Sequence, residues 1–480
     1  MRLLVIFCLI LMSMIVFASN LNIQYRKSRI HSLVIFSYSL SEVRGFSPAI
    51  KEAFLKSSFY NEQVKLIIDE QQKLNEHLAV YAEYKDPGVY YGDEFIVKNL
   101  IEVQASLSKD LDDLSGRTRG LLPVEIHQKF INNLRKLEPV FESFLWRPYE
   151  KELQKMVDFY SRKSSEWKLD EMFKKAKTFY GSYWDDSIPF DIVLYPIPPG
   201  SHHSNAKSFG AFESVGIIID EKDIVGRVGV IFHEICHSLY SAQPAELKES
   251  LNHSLKIRSQ NPFEAGAATY LNEILATVLG NGIVYEKIMG EVDKANWYNV
   301  AYINWGARDI LDLTKKYLAE GKQIDEKYLK SLQDSFQKRF PDFDKEFNWL
   351  FSKVEINNFE KSFTTAEVRT SFKKSFRYES LSVSSLKKYL SKINWQETDV
   401  KSRILILTKT DLSILLKKNF YAKSILLKLS HVKRARSAYY YSKKENQIYL
   451  LVNEKQYLSE AFERLSINGH VEVNKPVIIN

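Results

Sequence analysis

Cysteine is nearly absent: the 480-residue chain has two, Cys8 and Cys236. Cys8 lies in an apolar leader at the start, too early and without the small preceding residues of a lipoprotein anchor. Trimmed of that leader, the chain keeps Cys236 alone and forms no internal disulfide. Past the first 18 residues no run is long and apolar enough to span a bilayer, which needs roughly 20 such residues. There is no internal repeat and no low-complexity tract, so solenoids and linker-type chains are excluded. Histidine is sparse as well. His31, His77 and His127 have no partner at metal-ligand spacing and read as surface or satisfied core residues.

What remains is the composition of a folded protein. Hydrophobic residues make up 45% and aromatics 13%, ample for buried cores, and the length suggests two or three domains. Arg2 precedes apolar residues from Leu3 to Met12, and after Ser13 the run resumes to Ala18. Val16 and Ala18 are placed for cleavage after Ala18, so an exported chain is expected, periplasmic or extracellular, membrane-tethered if the leader stays uncut. The net charge of +8 is uneven: residues 361–480 hold 23 Lys and Arg against 10 Asp and Glu, the rest 44 against 49. That basic surplus could meet an anionic surface or polymer, or simply be solvated. Its densest run, His431-Val-Lys-Arg-Ala-Arg436, lacks aromatic stacking residues and argues against nucleic acid.

Chemistry concentrates in one stretch. Ile224, Val228, Ile231, Phe232, Ile235 and Leu239 recur at helical steps, Asp223 can cap the start, and no proline follows before Pro244. The expected helix runs from Ile224 to Tyr240 and contains His233-Glu234-Ile235-Cys236-His237. Residues four apart on a helix share a face, so both imidazoles can hold one ion. Glu234 stands about 100° round, beside the ion without ligating it. Cys236 reads as a small core residue.

The surrounding chain can be placed coarsely. Residues 20–183 read as helices, among them Ala49 to Phe59, Glu62 to Tyr84, Asp93 to Leu114, Val124 to Trp146 and Glu150 to Phe179, with breaks at Asp86-Pro87-Gly88 and Leu122-Pro123. Phe190 to Ile197 and Val215 to Ile219 read as strands, and Asn205 to Phe212 as an edge strand able to pair with an extended peptide. His202 and His203 are adjacent on extended chain and point opposite ways, which favours substrate contact or surface over ligation. Residues 241–260 look irregular. A helix should start at Asn261-Pro262-Phe263-Glu264 and stop at Gly280-Asn-Gly282, followed by an aromatic helix from Trp297 to Tyr317 and helix from Asp325 to Val354. Strands at Arg403 to Thr408, Ala438 to Tyr441 and Gln447 to Val452, with a helix from Lys455 to Leu465, read as a separate small α/β domain.

A catalytic zinc takes three protein ligands and keeps one position open. The next helix offers Glu264 and Glu273, nine residues apart and on opposite faces, so only one can turn to the ion. Glu264 suits the capping box, while Glu273 lies on a stripe of mostly small residues, Gly266, Thr269, Ala276, Thr277 and Gly280. The expected metal set is His233, His237 and Glu273, with Glu234 as general base. His253, Tyr298 and Tyr302 are the oxyanion donors on offer.

His233-Glu-Ile-Cys-His237 followed by Asn272-Glu273-Ile-Leu-Ala-Thr277 resembles the gluzincin, or thermolysin-like, class of zinc metallopeptidases. The resemblance spans about Phe190 to Tyr317. It implies Zn2+ on the two histidines and Glu273, and peptide hydrolysis with Glu234 as base. It departs in the 35 residues between His237 and Glu273 and at Thr277, where that class carries Asp to support a histidine; Thr accepts an imidazole N–H more weakly.

The expectation is an α+β, mainly helical protein: a signal peptide (1–18), a helical N-terminal region (19–185), a zincin-like catalytic core (186–355) and a basic α/β accessory domain (361–480). Its function is that of an exported zinc metallopeptidase acting on peptide or protein. The alternatives are a zinc amidase on a non-protein amide and an envelope binding or scaffolding protein whose zinc site is structural or inactive.

Overall fold

The computed structural model describes residues 23–43, 45–46, 48–79, 96–201, 204–222, 224–255, 261–359, 362–376, 380–389, 392–393, 400–418 and 420–479. The leader, the Asp86-Pro87-Gly88 break, His202, His203 and the Asp223 cap lie outside them. The protein is α+β and mainly helical. No described helix is long and apolar enough to cross a membrane. The chain divides into two compact units, one of residues 1–257 with 267–335, the other of 258–266 with 336–480.

The first unit is built on a four-stranded sheet. Its strands are β1 (Ile23–Lys27), β2 (Phe190–Ile197), β3 (Ala206–Phe209) and β4 (Phe212–Ile218), in the order β1-β2-β4-β3. β1, β2 and β4 run parallel, and β3 folds back antiparallel to form the edge. β2 is apolar on both faces and almost wholly buried, as an inner parallel strand should be. Residues 20–183 read from the sequence as helices, and β1 corrects that. Only Ile23 and Tyr25 mark its inward side, and its partner lies far along the chain: Arg26 Nε donates to Asp191 Oδ1 at 2.7 Å, 165 positions away.

Helices cover the sheet. Ser28 ends β1 and caps α1 (Arg29–Leu40), which is buried from Ile30 to Leu40. His31 is a core histidine: its Nε2 meets Ser214 Oγ of β4 at 3.1 Å, while its Nδ1 is buried without a hydrogen-bond partner among the described residues. Beside α1 lies α2 (Val97–Leu107). Tyr25 stacks on Tyr160 of the helix Arg147–Glu166 with centroids 5.7 Å apart. Along β3 and β4 runs α3 (Ile224–Ser241), one residue longer than the periodicity predicts.

Three readings need correction around α3. The chain after Tyr240 is not irregular but forms a helix, Ala245–Leu255, whose described core contribution is only Leu251 and Leu255 and so leaves little periodicity to read. The helix α4 (Pro262–Thr277) does not stop at Gly280-Asn-Gly282. It passes through a π-helical turn, Val278–Val284, into the helix Tyr285–Met289. These glycines have ordinary helical backbone, and Gly280 is small for a different reason. A Cβ there would lie 2.4 Å from Gly229 O and 2.5 Å from His233 N, so its hydrogen lets α4 touch α3. Finally, Trp297 to Tyr317 is not one helix: Trp297 and Tyr298 precede Ala301–Asp309, and Leu311–Ala319 follows. Trp297 N and Nε1 bond to Asn304 Oδ1 and Asp293 O, which holds it in the loop.

The second unit holds a six-stranded mixed sheet: β5 (Lys353–Phe359), β6 (Ser380–Leu386), β7 (Ser402–Leu407), β8 (Ser437–Ser442), β9 (Gln447–Val452) and β10 (Pro476–Ile479), ordered β10-β8-β9-β7-β5-β6. β5 corrects the expected helix through Val354. Buried Glu355, Asn357 and Asn358 interrupt its apolar pattern and hide the strand. On one face pack α5 (Thr365–Ser375) and, later in the chain, the helix Leu458–Asn468. The opposite face holds α6 (Lys409–Lys417) and α7 (Lys423–Ser430). α5 and α6 leave the neighbouring strands β5 and β7 for opposite faces. Buried Asp411 joins the segments that follow the strands, accepting from Ser362 Oγ at 2.6 Å, Thr408 Oγ1 at 2.7 Å and Tyr389 OH at 2.6 Å.

Candidate metal centre

Helix α3 is held by Val228, Ile231, Phe232, Ile235 and Leu239, all buried, and this fixes which way its polar residues turn. His233 and His237 rise one turn apart from the same face, and Glu273 of α4 comes to meet them. His233 Nε2 lies 3.0 Å from His237 Nε2, and Glu273 Oε2 lies 3.4 Å and 3.7 Å from those two atoms. Among the described residues this is the one cluster of three such side chains able to hold a metal.

The spacing can be tested against a metal. Ligand atoms about 2.0–2.1 Å from an ion at tetrahedral corners stand about 3.3–3.4 Å apart. The observed separations of 3.0, 3.4 and 3.7 Å straddle that edge, so the three side chains fit a single ion with little movement. Two imidazoles and a carboxylate suit Zn2+ and other divalent transition ions alike.

The supports around the triad are unequal. His233 is 6% exposed, and its Nδ1 faces Thr277 Oγ1 at 3.4 Å, one turn beyond Glu273 on the same helix. Asn281, carried on the π-helical turn, lies near the His233 ring and favours its proton. Tyr298 stacks over that ring with centroids 5.9 Å apart and favours the Glu273 carboxylate. His237 Nδ1 is buried without a hydrogen-bond partner among the described residues.

Charge follows geometry here. Burial raises the Glu273 carboxyl, but contact with His233, the His237 charge and Tyr298 outweigh it and hold it down at about 2. Burial works against the His233 proton, yet Glu273 and the Glu234 charge prevail and raise it above its ordinary value. Behind them Glu213 of β4 is fully buried, with neither carboxyl oxygen bonded to a described residue; burial first, then the Glu234 charge, drive it towards its uncharged form. Cys236 points into the core against Tyr180, its thiol pushed up by burial, and takes no part in the triad.

Beside the triad opens a cleft of about 420 Å³. Glu234, His237, Glu273 and Tyr298 line it, together with the edge strand β3 and with Lys98 and Asn99 of α2. Of the residues expected at the site, His233, Glu234, His237, Glu273 and Tyr298 come together. Tyr302 instead stacks on Tyr270 at 5.2 Å, and His253 is exposed on its own helix. Sequence reasoning missed Asn281, hidden inside an apparent stop signal, and the Lys207–Glu102 pair at the cleft wall, whose members are 105 positions apart. No protein-family pattern, no curated protein and no solved structure matches this chain.

Proposed function

We propose that the protein is an exported zinc-dependent metallopeptidase with a zincin-like core of the gluzincin kind. The observation that carries this reading is the convergence of His233, His237 and Glu273 on one point with Glu234 lining the same cleft. His233, His237 and Glu273 would hold Zn2+, which when bound supplies Lewis acidity to a water and to a substrate carbonyl.

The chain's own residues do the rest. Glu234 accepts a proton from the attacking water and returns it to the leaving nitrogen. Thr277 keeps the His233 ring turned so that Nε2 faces the centre, with Asn281 beside it, and Tyr298 favours the charged form of Glu273. β3, the terminal strand of its sheet at the cleft, can pair with an extended peptide and draw its backbone past Glu234. That wall supports a peptide over a compact non-protein amide.

The test is metal content and casein hydrolysis on purified protein. Wild type should carry near one zinc per chain and hydrolyse casein. Glu234→Gln should keep zinc and lose hydrolysis, and Glu273→Ala should lose both. Wild type without zinc would overturn the reading.

A further inference from the structure

The cleft beside the triad carries charge that hydrolysis itself does not require. Lys207 sits on β3, and its side chain is only 18% exposed. Its ammonium donates to Glu102 Oε1 at 2.7 Å and lies 3.4 Å from the centroid of the Phe46 ring. An ammonium has three donors. Glu102 is its one hydrogen-bond acceptor among the described residues, so the ammonium keeps donor capacity, and Lys207 is one of the residues lining the cleft. Glu102 is 0% exposed and spends its charge on holding Lys207 in place.

The strand geometry says what this ammonium can reach. Lys207 pairs with Ser214 and Ser208 with Glu213, so Lys207 and Ser208 project to opposite faces of the sheet. A peptide laid along β3 places every second side chain on the Lys207 face, in direct cross-strand contact. There the recess is bounded by Lys207, the Phe46 ring, Gly45, and Lys98, whose Nζ lies 3.4 Å from where a Cβ on Gly45 would stand. Two ammonium groups and a glycine that leaves room make an anion pocket. Lys207 and Glu234 line the same cleft, which sets the pocket beside the bond being cut.

We propose that Lys207, with Lys98 beside it, selects peptides carrying a carboxylate side chain next to the scissile bond, so the enzyme cuts beside Asp or Glu. This rests on the peptidase reading. Burial holds Lys207 down to about 8 against the opposing pull of Glu102, and a substrate carboxylate gives back part of the solvation the ammonium has lost.

The experiment compares zinc-loaded wild type on matched peptides that differ only as Glu against Gln, or Asp against Asn, at positions flanking the cut. Casein serves as the general substrate. The acidic peptides should be cleaved with kcat/KM about tenfold higher or more, carried mainly by KM and shrinking as salt is added. Lys98→Gln should reduce the preference. Lys207→Met should bring it to near one, and because that variant strands a buried carboxylate, Lys207→Met with Glu102→Gln removes the pair together, its melting temperature and zinc content reporting the fold. Casein cleavage with no acidic preference, or a preference that survives the double variant, would overturn the selectivity while leaving the peptidase intact. No cleavage of casein or of any peptide would remove both.

Discussion

At the scale of single residues, the candidate metal centre is a set of acid–base partners that attract one another without an ion. Glu273 is held at about 2, below its ordinary 4.5, so its contribution to stability is complete above pH 4.5 and is lost as pH falls towards 2. His233 is raised above 6.5, so its contribution is complete below pH 6.5 and is lost as pH rises through the folded value. In chelator-treated protein the two overlap between pH 4.5 and 6.5. The melting temperature of wild type should exceed that of Glu273→Gln most within this window and by less on either side. A gap that stays flat with pH would mean that the carboxylate and imidazole do not interact. On the proposed reading, added zinc should reverse the upper limb, because a proton on His233 competes with a bound ion and affinity then climbs as pH rises. His233, Glu234 and His237 were legible in the sequence because four-residue spacing on an apolar helix is a local property. Glu273 was legible because two acids nine apart cannot share a face. Lys207 was not: its meaning depends on Glu102, a distant residue that no periodicity links to it.

Between elements, the decisive contact is that of α3 with the π-helical turn after α4. The turn adds one residue to the helical repeat and brings Asn281 to His233, the kind of position where such turns collect in proteins. Reading Gly280 as a stop was reasonable, since glycine ends many helices, but here the missing side chain serves contact and not chain reversal. Gly280→Ala would push a methyl against backbone at Gly229 and His233, atoms that cannot rotate away. It should cost about 1–3 kcal/mol and reduce zinc occupancy. Gly306→Ala is the control, because its methyl meets the end of the Ile274 side chain, which can move. Thermal unfolding and metal content on the two variants test the difference; equal losses would show that the helix contact is not what holds His233. The same principle of local visibility covers the strands: β2 and β9 were read to the residue, whereas β5 was concealed by its own buried polar groups.

For the whole molecule, the mainly helical α+β class and the α/β character of the second unit were legible, and the N-terminal strand was not. β2, β3 and β4 lie within thirty residues of one another and can find their pairing locally. β1 cannot, since the register Ile23↔Phe190 closes a very long loop, and closure of that kind slows folding. During refolding, amides of β4 should gain protection from hydrogen exchange before those of β1; simultaneous protection would show that the sheet forms in one step. The strand made first is thus the strand that must wait. As the chain emerges residue by residue, the segment Ile23–Lys27 stays an open template with a row of unsatisfied backbone groups until Phe190–Ile197 arrives, so the interval before that meeting is when the newborn chain most needs shelter from pairing with strangers.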